Sequence, residues 1–219
     1  MGQAIAAAAA TQADIECVGI WSRESDIDDL MPLADVVVDF SMPEGTLVVL
    51  ASARRHGVAV VCGVSGLDET QSVALPAAAT AIPLLYDRNM SLGVAVLMRA
   101  VRDSAAALGD EFSVEISETH HVHKKDAPSG TALQLGEAVG RSVKYHSQRT
   151  GEVPGDHEVT FSTASERLSF SHSVATRQVF VDGALRAARW VVSQPVGQYS
   201  MQDVLFGEIS PNNRQINRD

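Results

Sequence analysis

The feature that most constrains the fold is a series of short apolar runs separated by helical stretches in residues 1–90. The runs contain few polar residues and many β-branched ones, which is typical of strands buried on both faces of a parallel sheet. The predicted strands are Ile15–Trp21, Ala34–Phe40, Val58–Gly63 and Ile82–Tyr86. The predicted helices are Gly2–Thr11, Glu44–His56 (ended by Gly57) and Asp68–Ala81. This alternation predicts an α/β fold with a Rossmann-like, doubly wound parallel sheet, whose ligands bind beyond the carboxyl ends of the strands.

The beginning of the chain departs from that pattern. A doubly wound nucleotide-binding domain begins with a strand and a glycine-rich turn before its first helix. This chain begins inside the first predicted helix, at Gly2. We therefore expect the first strand of the sheet to be missing, or the fold to differ.

The character of the sequence changes after residue 90. A long helix is predicted over Ser91–Leu108, and the strands that follow alternate apolar and polar residues, which predicts an open mixed or antiparallel sheet with one covered face. These strands are Phe112–Glu118, Glu158–Phe161 and Arg167–His172. An amphipathic helix over Asp182–Val192 is expected to return to the first domain. We predict one domain of residues 1–90 joined by 178–219, and a second, α+β domain of residues 91–177.

Composition narrows the classes of partner and compartment. The formal net charge is −10 with no long Lys/Arg run, so a nucleic-acid surface is not expected. No apolar run approaches the ~20 residues of a membrane span, and the alanine-rich beginning lacks the basic residues of a signal peptide. Cys17 and Cys62 both lie in apolar runs and are expected to be buried free thiols, which suits the reducing cytoplasm.

The segment Glu118–Ala132, E-T-H-H-V-H-K-K-D-A-P-S-G-T-A, is the densest group of titratable residues. A zinc site is disfavoured, because on a continuing strand His120 points away from His121 and His123, and neither Cys is nearby. A solvated basic patch is the simplest alternative. Against it, a turn leads into a helix for which Thr131–Gln134 matches a capping box. The N–H groups of Gly130 and Thr131 at that helix start favour a site for a carboxylate or phosphate.

The same residues resemble the signature of the dihydrodipicolinate reductase (4-hydroxy-tetrahydrodipicolinate reductase) family, E-x-H-H-x-x-K-x-D-x-P-S-G-T-A. Further segments resemble motifs of that family along nearly the whole chain. They are Asp39–Thr46 (D-F-S-M-P-E-G-T), Cys62–Asp68 (C-G-V-S-G-L-D), Asn89–Val94 (N-M-S-L-G-V), Gly155–His157 (G-D-H) and Tyr199–Val204 (Y-S-M-Q-D-V).

The resemblance implies the reduction of 4-hydroxy-tetrahydrodipicolinate to tetrahydrodipicolinate with NADH or NADPH, in diaminopimelate and lysine biosynthesis. It implies that His120 is a proton donor or acceptor and Lys124 a proton donor. His121 and the backbone of Gly130 and Thr131 would hold the substrate carboxylates. The cofactor-binding residues that it implies are Met1, Arg23, Gly63, Val64, Ser65, Asp87, Arg88, Asn89 and Met90. No metal is implied, and the family's homotetramer implies a homo-oligomer. The resemblance also implies that residues 1–90 with 178–219 form the nucleotide-binding domain and residues 91–177 the substrate-binding and oligomerisation domain.

The departures from the family pattern lie on the cofactor side. Only Met1 and Gly2 match the end of its G-x-x-G-x-M-G loop, the G-T-T triplet is Gly63-Val64-Ser65, and Asp87 and Arg88 stand where small residues are usual. Two explanations are open: Met1 is an internal methionine of a longer protein, or the chain is a truncated or decayed paralogue that binds a dicarboxylate without hydride transfer. In either case weak affinity for NAD(P)H is expected for this chain.

Overall fold

The computed structural model describes residues 1–207, which form two compact units. Unit 1 comprises Met1–Met90 and the chain from Phe180 onward, and unit 2 comprises Ser91–Val179. The sequence predicts that the two domains meet after residue 90 and again after residue 177. The roles predicted for the two domains remain proposals.

Helices and strands alternate along the chain in unit 1, whereas unit 2 ends with three consecutive strands. Unit 1 contains α1 (Gly2–Ala9), β1 (Val36–Asp39), α2 (Pro43–His56), β2 (Ala59–Cys62), α3 (Glu69–Ala79) and β3 (Pro83–Tyr86). Unit 2 contains α4 (Leu92–Leu108), β4 (Ser113–His120), α5 (Gly130–Val139), β5 (Lys144–Arg149), β6 (Asp156–Ser162) and β7 (Arg167–Ser173). The chain then forms α6 (Gln178–Val191), β8 (Gly197–Tyr199) and α7 (Met201–Phe206). Short 3₁₀ helices cover Ile27–Asp29, Met31–Leu33 and Gly109–Glu111.

Unit 1 is built on a four-stranded parallel sheet with the order β1-β2-β3-β8. All of β2 is buried, as its unbroken apolar sequence predicts. The helices between the strands have clear ends: the Asp68 and Gln71 side chains form a capping box before α3, and Gly57 ends α2 in the left-handed conformation at φ 71°. The predicted α/β fold with a Rossmann-like parallel sheet is confirmed.

The predicted strand Ile15–Trp21 is wrong. The structure has no strand in this segment, and Val18 and Ile20 are 40% and 56% exposed. A strand needs a neighbour for its backbone N–H and C=O groups, and among residues 1–207 no strand is paired with this segment or with the free edge of β1. Cys17, predicted to be buried, is exposed for the same reason, whereas Cys62 on β2 is buried as predicted.

Unit 2 is built on a mixed sheet with the order β5-β4-β6-β7, in which β4 pairs with β5 in parallel and with β6 antiparallel. The buried residues of β4 alternate along the strand, as the period of two predicts. The apolar core of unit 2 joins this sheet to α4 and α5 through residues such as Ile116, Leu135 and Phe161. The other face remains polar, and the carboxyl end of β4 leads into the histidine- and lysine-rich loop.

Candidate functional site

The centre of the candidate site is a pair of side chains at the end of β4. His120 is 7% exposed, and its Nδ1 lies 2.5 Å from Glu118 Oε2. A carboxylate can only accept, so His120 Nδ1 carries the proton of this hydrogen bond and Nε2 is left for other chemistry. Residues 118 and 120 share one face of the strand because side chains alternate with a period of two. The local sequence E-T-H therefore places the carboxylate beside the imidazole.

Arg149, at the end of the neighbouring strand β5, clamps Glu118. Its Nη1 and Nη2 donate to the two carboxylate oxygens at 2.8 Å each. Burial raises the pKa of Glu118, but the hydrogen bonds from Arg149, Ser147 and His120 outweigh it and hold that pKa at about 2. Glu118 is therefore an anion at neutral pH although it is only 2% exposed.

The titration of His120 reflects the same surroundings. Burial lowers the pKa of its imidazole, the hydrogen bond and charge of Glu118 raise it, and the charges of Lys124 and Arg149 lower it further, so the net direction is downward. His120 is consequently neutral at pH 7, which suits a group that accepts a proton and passes it on.

A second histidine stands beside His120. The ring of His157 on β6 meets the ring of His120 edge to face, with centroids 5.1 Å apart. Its Nε2 is 3.2 Å from Ser129 Oγ, and burial, with the nearby His120, lowers its pKa to about 4. His157 is thus a buried polar group that packs against the imidazole of His120, and Ser129, also buried, holds His157 in place.

Lys124 lies on the loop after β4 and is half-buried. Its Nζ is 2.9 Å from Asp126 Oδ1. Burial raises the pKa of Asp126, but the hydrogen bond and charge of Lys124, aided by the backbone N–H groups of Asp126 and Gly130, lower it overall. Lys124 therefore already pairs with a carboxylate, namely that of Asp126.

The start of α5 differs from the prediction in one respect. The N-cap is Ser129, whose Oγ accepts from Ala132 N at 3.2 Å, and not Thr131 as the predicted capping box required. Ser129 is also fixed by its N–H, which donates to Glu118 Oε1 at 3.2 Å. Gly130 and Thr131 still occupy the first two helical positions, so their N–H groups lie in the first turn, where an α-helix itself provides no acceptors.

The other histidines of the loop have different environments. His121 is half-buried, and its Nδ1 has no hydrogen-bond partner among residues 1–207. His123 is exposed and lies 3.2 Å from Glu152. Across the described part of the chain, no group of three or more His, Cys, Asp and Glu side chains is placed to hold a metal ion.

The predicted cofactor residues lie in unit 1, and most of them follow the carboxyl ends of β2 and β3. Gly63 N donates to Asp39 O at 2.9 Å, and a Cβ at position 63 would stand 2.5 Å from the Phe40 ring. Val64 is buried and Ser65 exposed, so Val64 can offer only its backbone to a ligand. The segment 63–65 therefore presents main chain at this edge of the sheet.

The second predicted cofactor segment, residues 87–90, is tied to the fold. Asp87 accepts from the N–H groups of Asn89 and Met201, at 3.2 and 3.3 Å, which makes Asn89 a turn residue. Ser91, rather than Asn89, caps α4. Arg88 is exposed, whereas the Met90 side chain is 1% exposed.

The remaining predicted cofactor residues are near the beginning of the chain. Met1 is the N-cap of α1 and is exposed. The Arg23 side chain is 74% exposed, with an ion pair of 3.9 Å to Glu44. Both are accessible to a ligand.

Sequence reasoning missed the roles of Glu118 and Arg149. Glu118 belongs to the motif, but the sequence motif does not show that its carboxylate accepts a hydrogen bond from His120. Arg149 lies 31 residues further along the chain, and only the parallel pairing of β4 with β5 brings it to Glu118.

The comparisons with known proteins agree along the chain. The family model described as "Dihydrodipicolinate reductase, N-terminus" matches residues 1–90, and "Dihydrodipicolinate reductase, C-terminus" matches residues 93–205. The 4-hydroxy-tetrahydrodipicolinate reductase of Alkalilimnicola ehrlichii is 41% identical over 204 residues, covering 82% of this chain and 76% of the relative. That of Pseudoalteromonas translucida is 38% identical over 209 residues, covering 84% and 77%.

Solved structures show the same fold. The dipicolinate-bound dihydrodipicolinate reductase from Paenisporosarcina sp. TG-14 matches with a TM-score of 0.73 and 18% identity, covering 93% of this chain and 95% of that one. The diaminopimelate dehydrogenase of C. glutamicum in complex with diaminopimelate matches with a TM-score of 0.55 and 13% identity, covering 99% and 95%.

Proposed function

The chain belongs to the dihydrodipicolinate reductase family, and on that premise we propose that it reduces 4-hydroxy-tetrahydrodipicolinate to tetrahydrodipicolinate in diaminopimelate and lysine biosynthesis. It is an oxidoreductase that uses a nicotinamide nucleotide. The observation that carries the proposal is the carboxylate-binding arrangement of Lys124 and the start of α5, next to the buried Glu118–His120 pair.

The substrate is a small dicarboxylate, and we propose that Lys124, His121 and the N–H groups of Gly130 and Thr131 hold its carboxylates. The support is chemical: Lys124 Nζ pairs with the carboxylate of Asp126 in this structure, and the backbone N–H of Gly130 helps to lower the pKa of that carboxyl. A substrate carboxylate offers them the same charge and acceptor atoms. The unsatisfied Nδ1 of His121 adds a further polar atom that a ligand can pair.

The residues of unit 1 fit a nicotinamide nucleotide. Because Gly63 has no side chain, main-chain atoms line the carboxyl edge of the sheet at this position. The exposed Arg88 and Arg23 provide cations for phosphate groups. When bound, the nicotinamide supplies a hydride to the substrate. Gly63, Val64, Ser65 and residues 87–90, with Met1, are the groups proposed to hold it.

The protein's own part in the reaction is proton transfer. Hydride addition with loss of the substrate hydroxyl as water consumes one proton. We assign its delivery to Lys124 Nζ, and proton exchange with the substrate to His120 Nε2. His120 suits this role because Glu118 fixes its Nδ1 as the donor of the buried hydrogen bond.

The test is the substrate-dependent oxidation of NADH and of NADPH. We expect turnover by the wild type, and losses of about 10²–10⁴-fold in kcat for His120→Ala and Lys124→Ala. His123→Ala and Lys125→Ala are matched controls, because both residues are exposed neighbours in the same loop, and both variants are expected to retain activity. A thermal shift with dipicolinate but no nicotinamide oxidation would instead identify a dicarboxylate-binding paralogue.

Arg23 is proposed to meet the adenosine ribose or its 2′-phosphate. If it meets the 2′-phosphate, Arg23→Ala raises the KM for NADPH more than the KM for NADH. Equal changes for the two cofactors would assign it to the ribose, and no change in either would remove it from the cofactor site.

We also propose a homo-oligomer, a tetramer, located in the cytoplasm. The support for association is the open face of the mixed sheet, where Ser117, Glu158 and Ser169 are exposed. The support for a reducing compartment is the pair of free thiols, Cys17 and Cys62. Within residues 1–207, none of the helices has the length and apolar character that crossing a membrane requires. Sedimentation of a monomer at micromolar concentration would contradict the tetramer.

A further inference from the structure

We propose that Arg149 is a positioning residue for the reaction: through one guanidinium it fixes both the Glu118–His120 pair and the loop that carries Lys124. This inference rests on the proposed function, because it concerns the two residues assigned to proton transfer. Arg149 itself is not assigned any contact with substrate or cofactor.

Arg149 first fixes the carboxylate of Glu118. The two terminal nitrogens of Arg149 donate to the two oxygens of Glu118, at 2.8 Å each, so the plane of the carboxylate is fixed. The same Oε2 that accepts from Arg149 Nη1 also lies 2.5 Å from His120 Nδ1. Rotation of the carboxylate would therefore move or break the hydrogen bond that sets the ring and tautomer of His120.

Arg149 also fixes the backbone of the loop that carries Lys124. Arg149 Nε donates to Lys124 O at 3.3 Å, and Nη2 donates to Asp126 O at 2.5 Å. The main chain on both sides of Lys125 is therefore fixed to the same group. Since the Lys124 ammonium is placed by this backbone, loss of Arg149 should release Lys124 and His120 together.

The Arg149 side chain is suited to this task by its burial and by its shape. It is 19% exposed, and its partner carboxylate is 1% exposed, so water replaces these bonds poorly. Lysine at this position would keep the charge but not the fork of donors that bridges a carboxylate and two carbonyl groups. Shape, and not charge alone, is therefore what the site requires.

The charged and titratable groups facing His120 come from several elements. They are Glu118 on its own strand, Lys124 on the following loop, Arg149 on β5 and His157 on β6. The cation of Arg149 lowers the pKa of His120. Its removal should therefore raise that pKa, a readout that a merely structural residue elsewhere in unit 2 would not affect.

The test compares Arg149→Lys and Arg149→Ala with Arg141→Lys and Arg141→Ala. Arg141 is a matched control: its side chain is 22% exposed, and it donates to the carbonyls of Ala105 and Phe112 at 3.3 and 3.0 Å. We expect kcat to fall about 10–100-fold in both Arg149 variants, with partial recovery of Arg149→Ala on addition of guanidinium. The Arg141 variants should stay within about twofold of the wild type.

The His120 imidazole is followed by NMR titration, assigned among the seven histidines by the loss of its signal in His120→Gln. We expect its pKa to rise in Arg149→Ala, which removes the cation, and to be unchanged in the Arg141 variants. Arg149→Lys keeps the cation but loses the fork of donors, so its deciding readout is kcat, and an unchanged kcat in this variant would overturn the proposal. If Arg149→Ala does not fold, the kcat of Arg149→Lys decides alone.

Failure of the proposed function and failure of the positioning role of Arg149 give different results. A wild-type chain that does not oxidise NAD(P)H with substrate contradicts the proposed function, while the His120 titration still decides whether Arg149 positions the imidazole. A wild type that turns over, with Arg149 variants equal to it in rate and titration, contradicts only the positioning role. As a further check, Glu118→Gln combined with Arg149→Lys should cost less than the sum of the two single changes, because the two residues act as one unit.

Discussion

Gly183 of α6 lies so close to Met90 that a Cβ added at position 183 would overlap the Met90 carbonyl oxygen. The overlapping atom belongs to the backbone and cannot rotate away as a side chain could. The absence of a side chain at residue 183 therefore sets how closely α6 approaches the end of the segment 87–90 in unit 1.

Gly183→Ala is expected to destabilise the protein by about 3 kcal/mol, because overpacking against main chain forces the helix or the segment to move. Urea denaturation measures the change in the free energy of unfolding. Gly2→Ala is the control: Gly2 is also helical, and an added Cβ would have no neighbour within 4 Å. Equal stability of the two variants would show that α6 can shift without cost.

Gly155→Ala is expected to impair His120 with little effect on binding of dipicolinate. A Cβ at position 155 would stand 3.0 Å from His120 Nε2, the atom assigned to proton exchange. We expect kcat to fall about tenfold or more, since a displaced proton-transfer group loses its alignment. An unchanged kcat, measured by nicotinamide oxidation, would place Nε2 outside the reaction.

The stability of the protein should fall on mild acidification because of His157. Its native pKa is about 4, below the ordinary value of 6.5, so the unfolded chain takes up a proton first as the pH falls. The stabilisation is complete above pH 6.5 and is lost between pH 6.5 and about 4. Between about pH 7 and about pH 5 this contributes a loss of about 2 kcal/mol.

The measurement is the free energy of unfolding at the two pH values for wild type, His157→Gln and His123→Gln. His157→Gln should show the weaker dependence on pH. The His123 side chain is 71% exposed, so His123→Gln should follow the wild type. Identical slopes for all three proteins would contradict the assignment to His157.

The two thiols should react very differently. Burial, with the nearby charge of Asp39, raises the pKa of the Cys62 thiol to about 12, whereas Cys17 is exposed. Because the thiolate is the reactive form, an aromatic disulfide reagent should modify one thiol in the native protein and both in denaturant. Native Cys17→Ser should not react, and rapid reaction of that variant would show that β2 opens.

The parallel sheet and the candidate loop could be predicted from sequence because their signals are local. The runs around Val60 and Leu84 are apolar throughout and have no side that would favour contact with water. Burial of both faces of these strands therefore follows from composition alone. The predicted segment Ile15–Trp21 has a similar composition, but within the described residues 1–207 no strand lies beside it. Strand formation depends on a partner, which a local pattern does not reveal.

The sequence by itself determined that Glu118 and His120 share a face of β4, since side chains on a strand alternate. It also predicted that a helix starts near Gly130 and Thr131. Only the tertiary structure decided that Ser129 caps that helix, that His157 braces His120 and that Arg149 joins Glu118 to the Lys124 loop. Those contacts cross between elements that the chain brings together by strand pairing, and the identity of a partner across a sheet depends on register, which no single segment encodes.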